Sequence, residues 1–309
     1  MQRRDFLSAV AATAVGAASA AGTGIPRRTY KDGIELSVIG FGGIVVVGQE
    51  QPAADRTVAA AFERGINYYD VAPSYFDGEA EIKLGNALKP YRNKAFLACK
   101  TMERESKGAE RELNRSLERL HTDHFDLYQF HAVTTMKDVD TITGQGGAAE
   151  LFLKAKRDGR IRYAGFSAHN PEAAIALMDR FPADSVLFPV NFVTWTQGGF
   201  GPQILEAAKS KGVRRLALKA MAYTKWPENL KESDRPYPKC WYKPADDRDL
   251  ADKAVRFTLS QDITAAIPPG DERLFNMALD IAAGYRPLSD QERQDLFARA
   301  KAAEPIFRA

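Results

Sequence analysis

Four side chains in this sequence have the types and spacing to polarise a carbonyl and pass it a proton. The stretch Gly65 to Gly85, "GINYYDVAPSYFDGEAEIKLG", carries Asp70 and Tyr75 where a strand-like run gives way to a polar helix start. Lys100 closes "FLACK" 30 residues after Asp70, and His131 closes "FDLYQFH" 31 residues after Lys100. Tyrosine has an ordinary pKa of about 10 and is a poor proton donor at neutral pH. A neighbouring ammonium favours the phenolate and lowers that pKa, while a carboxylate paired to the lysine keeps it placed and charged. A histidine beside them can hydrogen-bond a substrate oxygen. Such a set would polarise a carbonyl and protonate the alkoxide that forms when a hydride arrives. Singly, each residue has a plain alternative: Asp70 a cap, Tyr75 a loop aromatic, Lys100 a solvated charge, His131 a satisfied core residue. The joint placement argues for chemistry.

Elements of one repeating kind must hold these residues. Short β-branched runs read as strands and 3.6-residue periodicity reads as helices. "IELSVIGFGG" precedes a helix at about 52–64, "INYYDVA" one at 79–88, "FLACK" one at 106–120 and "FDLYQFH" one at 147–158. "IRYAGFS" leads to 171–180, with Pro171 in its first turn, and "VLFPVN" to 202–211. "RRLALKAM" leads through a long loop to 247–260, and "TAAIPP" to 271–283. Several strands are apolar on both faces, as a parallel sheet covered by helices requires. Eight such units predict a single α/β domain, a (β/α)8 TIM barrel over 25–309. A hairpin-like lead-in precedes it, and "PLSDQERQDLFARAKAAE" adds a helix after the eighth unit. No Gly-x-Gly-x-x-Gly follows an early strand, which weakens the rival open, doubly wound sheet. Barrel active sites sit at the C-terminal ends of the strands. Asp70, Lys100 and His131 end strands two, three and four, so they rise to one height, with Tyr75 in the loop above.

Composition sets the outer bounds. The chain is 45% hydrophobic and 27% charged, as a soluble globular protein is. Its 43 basic and 40 acidic residues nearly balance, which gives no argument for nucleic acid. The two cysteines, Cys99 and Cys240, are too few for a disulfide framework and lack metal-ligand spacing. His121 and His124 precede the fourth strand on the stability face of the barrel, so no metal site is expected.

The first 24 residues read as a leader. "MQRRDFLSAVAATAVGAASAAG" has a basic start, an Ala-rich apolar stretch and a small-residue Ala18-Ser19-Ala20 pattern. Arg3-Arg4 followed by Asp5-Phe6-Leu7 resembles a twin-arginine export signal, which implies a bacterial periplasmic protein and the twin-arginine machinery as a partner. The apolar stretch is too short for a membrane span. Loss of residues 1–20 removes two Arg and one Asp, taking the net charge from +3 to +2.

Two motifs carry a family resemblance. "GINYYDVAPSYFDGEAEIKLGNAL" is similar to the first signature of the aldo-keto reductases: a glycine, a strand, Asp-x-Ala, a tyrosine, a Glu and Leu-Gly. "LNRSLERLHTDHFDLYQFH" resembles the second, with Ser116-Leu117, Leu120, Asp123 and Asp126-Leu127-Tyr128 ahead of His131. The resemblance implies a tetrad of Asp70, Tyr75, Lys100 and His131, with Tyr75 as general acid. It also implies NADPH, with NADH as the alternative, lying across the barrel mouth and reducing a small-molecule carbonyl substrate. Gly42 and Gly43 on the first strand, Asp70 and Ser167 fall at its cofactor positions.

Other cofactor positions depart from the family pattern. Val71 stands where Thr or Ser is usual, and Phe76 where Gly often follows the tyrosine. In "GFSAHN", Ala168 replaces an asparagine, leaving His169 or Asn170 to supply the contact to the nicotinamide amide. Asn191 is the substitute for a usual glutamine on the sixth strand. Leu218 stands where a tyrosine would stack on the nicotinamide, and Lys219 beside it would touch pyrophosphate or substrate. In the eighth unit, Pro268-Pro269-Gly270 makes a turn before a helix N-terminus that suits an anion. Arg273 is the 2′-phosphate partner, opposed by Asp271 and Glu272. Loop 222–246 reads as a lid with Trp226, Trp241 and Tyr242 as wall residues. The departures keep open a cofactor-binding regulatory or sensor protein of little turnover. A metal-dependent barrel hydrolase is the third reading.

Overall fold

The computed structural model describes residues 24–309, so the leader read at 1–24 lies, but for its last residue, outside the described part. Strands β1 (Arg27–Thr29) and β2 (Glu35–Ser37) pair antiparallel as the lead-in hairpin. The remaining strands are β3 (Phe41–Gly42), β4 (Tyr68–Asp70), β5 (Phe96–Thr101), β6 (Phe125–Val133), β7 (Ile161–Ala168), β8 (Ser185–Pro189), β9 (Arg214–Leu218), β10 (Ala222–Lys225), β11 (Tyr242–Pro244) and β12 (Ala265–Ile267). Strands β3 to β9 and β12 form one parallel eight-stranded sheet in chain order. The sheet closes on itself where Ile39 bridges Ala266. There Gly40 N donates to Ala266 O at 2.9 Å, and Ala266 N donates to Val38 O at 2.9 Å. The fold is the (β/α)8 barrel, with each pair of barrel strands joined through helix.

Helices Gln51–Glu63, Glu79–Leu88, Ser106–Arg119, Pro171–Arg180, Pro202–Ser210, Arg248–Leu259 and Glu272–Ala283 follow their strands close to the expected bounds. Two helices escaped the periodicity reading, Met136–Thr143 and Phe192–Gln197, and both lie directly after strand ends, at the barrel mouth. Each is short and starts on a side-chain cap, Thr135 in a capping box and Asn191 alone. The expected first strand, Ile34–Gly43, is broken in two. Ser37 Oγ bonds Ile39 O at 2.7 Å, and the missing side chain of Gly40 admits the Tyr68 ring.

Two apolar layers hold the barrel. One lies between strands and helices; the other fills the interior, where Tyr30 of the lead-in hairpin packs edge-on against Phe96 and Tyr163 at centroid distances of 5.2 and 5.4 Å. That hairpin therefore closes the N-terminal end and leaves the C-terminal mouth for chemistry. The added helix Asp290–Lys301 is held by buried Arg256, whose guanidinium bonds Glu292 at 2.8 and 2.9 Å and Asp252 at 2.6 Å. Among the described residues no helix is long and apolar enough to cross a membrane.

Candidate active site

Parallel register brings the candidate tetrad together. Asp70 ends β4 opposite Gly42 of β3 and Ala98 of β5, and Lys100 lies two residues further along β5, opposite Gln129 of β6. Both charged side chains are almost wholly buried, at 2% and 1% exposure, and Lys100 Nζ is paired with Asp70 Oδ1. The other carboxylate oxygen accepts from Gln129 Nε2 at 3.1 Å and from the Tyr68 hydroxyl at 3.3 Å. Sequence reasoning missed Gln129 and Tyr68. Each is an ordinary strand residue until the register places it beside Asp70. Burial of a charge is tolerable only with such pairing and hydrogen bonding.

Tyr75 is offered by a tight turn. Residues Tyr75–Gly78 form a short 3-10 segment in which Phe76 and Asp77 hold left-handed φ of 51° and 54°. An L side chain is uncommon there, which is a physical reason for glycine to be favoured after such a tyrosine. The turn brings the Tyr75 ring to 5.3 Å from Lys100 Nζ, and His131 meets that ring edge-on at 5.6 Å between centroids, 85° between planes. His131 stands at a break in the β6–β7 register, where Ala132 has φ 52° and its N–H donates to Ser167 Oγ at 2.8 Å. Ser74 Oγ lies 3.3 Å from His131 Nδ1.

Burial decides the electrostatics. It pushes the Tyr75 phenol above its ordinary value; the Lys100 charge pulls the other way but does not win. The expected lowering of the tyrosine pKa is thus corrected in sign, because desolvation of a phenolate outweighs one nearby ammonium. Burial alone would lower Lys100, yet the Asp70 carboxylate and the Tyr75 oxygen hold it above its usual value. His131 is pushed down to about 2 by burial and by the Lys100 charge, so it is neutral at physiological pH. His169 falls to about 3 through burial and Lys219.

A cleft runs from this cluster across the mouth. Gly42, Asp70, Tyr75, Lys219, Pro269 and Gly270 line its long arm. Ser167, His169 and His131 line the arm beside the phenol. The turn at Gly270 comes so close to Ile44 that a Cβ there would stand 2.4 Å from its Cγ2. Gly43 faces away, with Val71 Cγ2 filling the space of its absent side chain. Of the two residues offered in place of Ala168, Asn170 is spent as the cap of the helix Pro171–Arg180, its Oδ1 accepting from Ala173 N at 2.9 Å. His169 Nε2 is buried at the cleft without a hydrogen-bond partner. Asn191 does not line the cleft; it caps the helix Phe192–Gln197 and keeps a buried, unpartnered Nδ2. The unpartnered His169 Nε2 and the side-chain-free edge at Gly42 and Gly270 fit a long dinucleotide with an amide at one end.

Arg273 lies at the far end. Its Nε and Nη2 bond Asp271 at 3.0 and 2.9 Å, and its guanidinium covers Tyr237 at 4.6 Å from the ring centroid. The acidic neighbour read as a repulsive element therefore also positions the guanidinium.

Residues 222–246, expected as a structureless loop, contain the antiparallel pair β10–β11 and are pinned to the barrel. Lys239 Nζ donates to the carbonyls of Ile44, Val45 and Val47 at 3.2, 3.1 and 3.0 Å. Trp241 and Tyr242 line the cleft; Trp226 does not, and its Nε1 instead donates to Cys240 O at 2.7 Å. The C-terminal segment packs on two wall residues: Phe307 stacks on His169 at 4.8 Å and meets Trp241 at 5.8 Å. Cys99 and Cys240 are both free and buried. His121 bonds Asn86 at 3.1 Å and His124 bonds Asp123 at 2.6 Å, both before β6 and away from the mouth.

Comparison with known proteins gives a single picture. The model of the aldo/keto reductase family matches residues 38–261. The uncharacterized oxidoreductase YqkF of Bacillus subtilis (strain 168) is 25% identical over 92% of this chain and 98% of its own. The aldo-keto reductase YhdN of the same organism is 32% identical over 52% of this chain and 50% of its own. Among solved structures, the holo form of aldo-keto reductase AKR11C1 from Bacillus halodurans superposes with a TM-score of 0.69 at 25% identity. That match covers 90% of this chain and 97% of the other. The glycerol dehydrogenase AKR11B4 from Gluconobacter oxydans gives a TM-score of 0.68 at 23% identity, covering 92% and 98%, a likeness of fold.

Proposed function

The chain belongs to the aldo/keto reductase family of oxidoreductases, and from that premise we propose that it reduces an aldehyde or ketone to an alcohol with NADPH, NADH being second choice, and with Tyr75 as general acid. The observation that carries this reading is the buried Asp70–Lys100 pair beside the Tyr75 ring, with His131 edge-on to the same ring. A bound nicotinamide would supply the hydride.

The chain's own residues do the rest. Tyr75, kept protonated by burial, donates to the carbonyl oxygen and then gives up its proton as the alkoxide forms. Lys100 stabilises the phenolate left behind, and Asp70 holds Lys100 charged and in place. A Ser74 hydroxyl donating to His131 Nδ1 leaves the imidazole proton on Nε2, where it can bond the same oxygen. His131 is thus a neutral hydrogen-bond donor and not a second acid. Gly42, Asp70, Pro269 and Gly270 form the edge along which the cofactor lies, with Ser167 and His169 nearest its amide. Asn191, which caps the helix Phe192–Gln197, and Gly43, packed against Val71, lie outside the cleft lining. Arg273 Nη1, which makes no bond among the described residues, is the donor for a 2′-phosphate.

The test is a single-turnover assay with deuterated NADPH and a panel of aldehydes. Transfer of the label to the alcohol carbon supports the reading, and nucleotide binding without transfer to any aldehyde overturns it. Export through residues 1–24 rests on the sequence alone; fractionation of the native host with sequencing of the mature N-terminus tests it.

A further inference from the structure

One charge in the cleft has no counter-ion. Lys219 follows β9 in a left-handed backbone turn, φ 63°, which aims it over the mouth. Its Nζ lies 5.5 Å from the Trp241 ring centroid, 6.0 Å from that of Tyr242 and 5.8 Å from that of Phe307. Among the described residues no carboxylate reaches it; burial and the Lys100 charge lower its pKa to about 8. Three aromatic faces attract an ammonium but leave its three N–H donors without acceptors. Lys100 differs sharply, since Asp70 answers its charge.

The arm beside the phenol is lined by the cations Lys100, Lys219 and Lys239 with the neutral His131 and His169, and by neither Asp nor Glu. Asp70, in the long arm, is taken up by Lys100. The other carboxylates, Glu79, Glu232, Asp271 and Glu272, stand near Arg273. Lys219 belongs to the reacting end: its charge depresses both His131 and His169.

We propose that the carbonyl compounds reduced by this protein carry a carboxylate, and that Lys219 in its Trp241–Tyr242–Phe307 cage is the group that binds it. This rests on the reductase reading above. One ammonium with apolar walls suits a single negative charge on an otherwise unsaturated or aromatic body. A lysine that pairs with substrate also acts as a filter, since a neutral analogue leaves that ammonium buried and unanswered.

The experiment uses 3- and 4-carboxybenzaldehyde and their methyl esters as probes. In the full-length enzyme kcat/KM should favour the acids by about tenfold or more. Lys219→Met should abolish that preference whatever happens to the absolute rate, and Lys219→Arg should restore most of it. Nucleotide affinity, read by fluorescence titration, separates the alternatives. If Lys219→Met weakens nucleotide binding as much as it lowers the acid-to-ester ratio, the ammonium serves the pyrophosphate and the proposal is overturned. Equal kcat/KM for acids and esters in the wild type also overturns it, without need of any variant. If none of the four probes is reduced, the label-transfer panel above decides the reductase reading separately. Calorimetric binding of 4-carboxybenzaldehyde against its ester to the nucleotide-loaded protein then decides the site, tighter binding of the acid supporting it and equal binding ending it.

Discussion

Gln129 stands opposite Lys100 in the β5–β6 register, and its amide holds the Asp70 oxygen that Lys100 does not use. The carboxylate is thereby fixed at both ends. A hydrogen bond to a charged group is worth about 1.5–3 kcal/mol. Gln129→Leu should lower kcat by about tenfold with little change in KM, because Asp70 then swings and Lys100 loses its setting. Steady-state kinetics and a thermal melt check this. A lower melting temperature with unchanged kcat would make Gln129 a packing residue only.

Tyr75→Phe removes the proton donor and keeps the ring that His131 packs against. Reduction should fall by roughly 10²–10⁴-fold, while nucleotide titration stays close to wild type. Lys100→Met should be equally inactive but also less stable by about 3–5 kcal/mol, since it strands a buried Asp70. Wild-type turnover in either variant would remove the assigned proton transfer.

Reduction should show no inflection near pH 6.5, because His131 titrates at about 2. The Tyr75 proton should survive past its ordinary 10.0, so the alkaline loss of kcat lies above that. KM for carboxylate probes should rise through about pH 8 as Lys219 is deprotonated, with Lys100, His131, His169 and Cys240 around it. Stability has its own pH sign. Below 6.5 the unfolded chain protonates His131 and His169, which the folded chain holds neutral down to about 2 and 3. Stability therefore falls on acidification, by on the order of 1.4 kcal/mol per imidazole for each pH unit below 6.5. Denaturant melts between pH 7 and pH 5 read this directly.

Arg273→Gln should weaken NADPH about tenfold and leave NADH almost unchanged, since only the 2′-phosphate needs the guanidinium. Competition binding with the two nucleotides measures it. An equal loss for both would assign Arg273 to the loop contact it makes with Pro236 O at 2.7 Å.

Much of the candidate site's geometry is legible in the sequence. Asp70, Lys100 and His131 are one repeat apart, and a parallel barrel turns equal spacing along the chain into equal height at the mouth. The helix over 171–180 was legible to the residue because Pro171 marks its first turn; that Asn170 is its cap emerges only from the structure. Contacts set by register alone left no such mark. Gln129 shows an apolar strand context, and Phe307 lies 138 residues from the imidazole it covers. Burial, too, has no local signal, which is why the shift of the Tyr75 phenol had the opposite sign to the one expected. The segment 222–246 reads as a loop because its strands are only four and three residues long and the connection between them carries Pro227, Pro236 and Pro238; the pairing of Tyr242 with Lys225 appears only in the fold.

The tail has a practical meaning for anyone handling this protein. Ala309 N donates to Gly198 O at 3.0 Å, and Gly198 has no room for a side chain because Phe307 O fills the space. Disturbing these residues would loosen Phe307 from His169 and Trp241, which line the cleft. Preparations differing only in their last few amino acids should differ in selectivity before they differ in melting temperature.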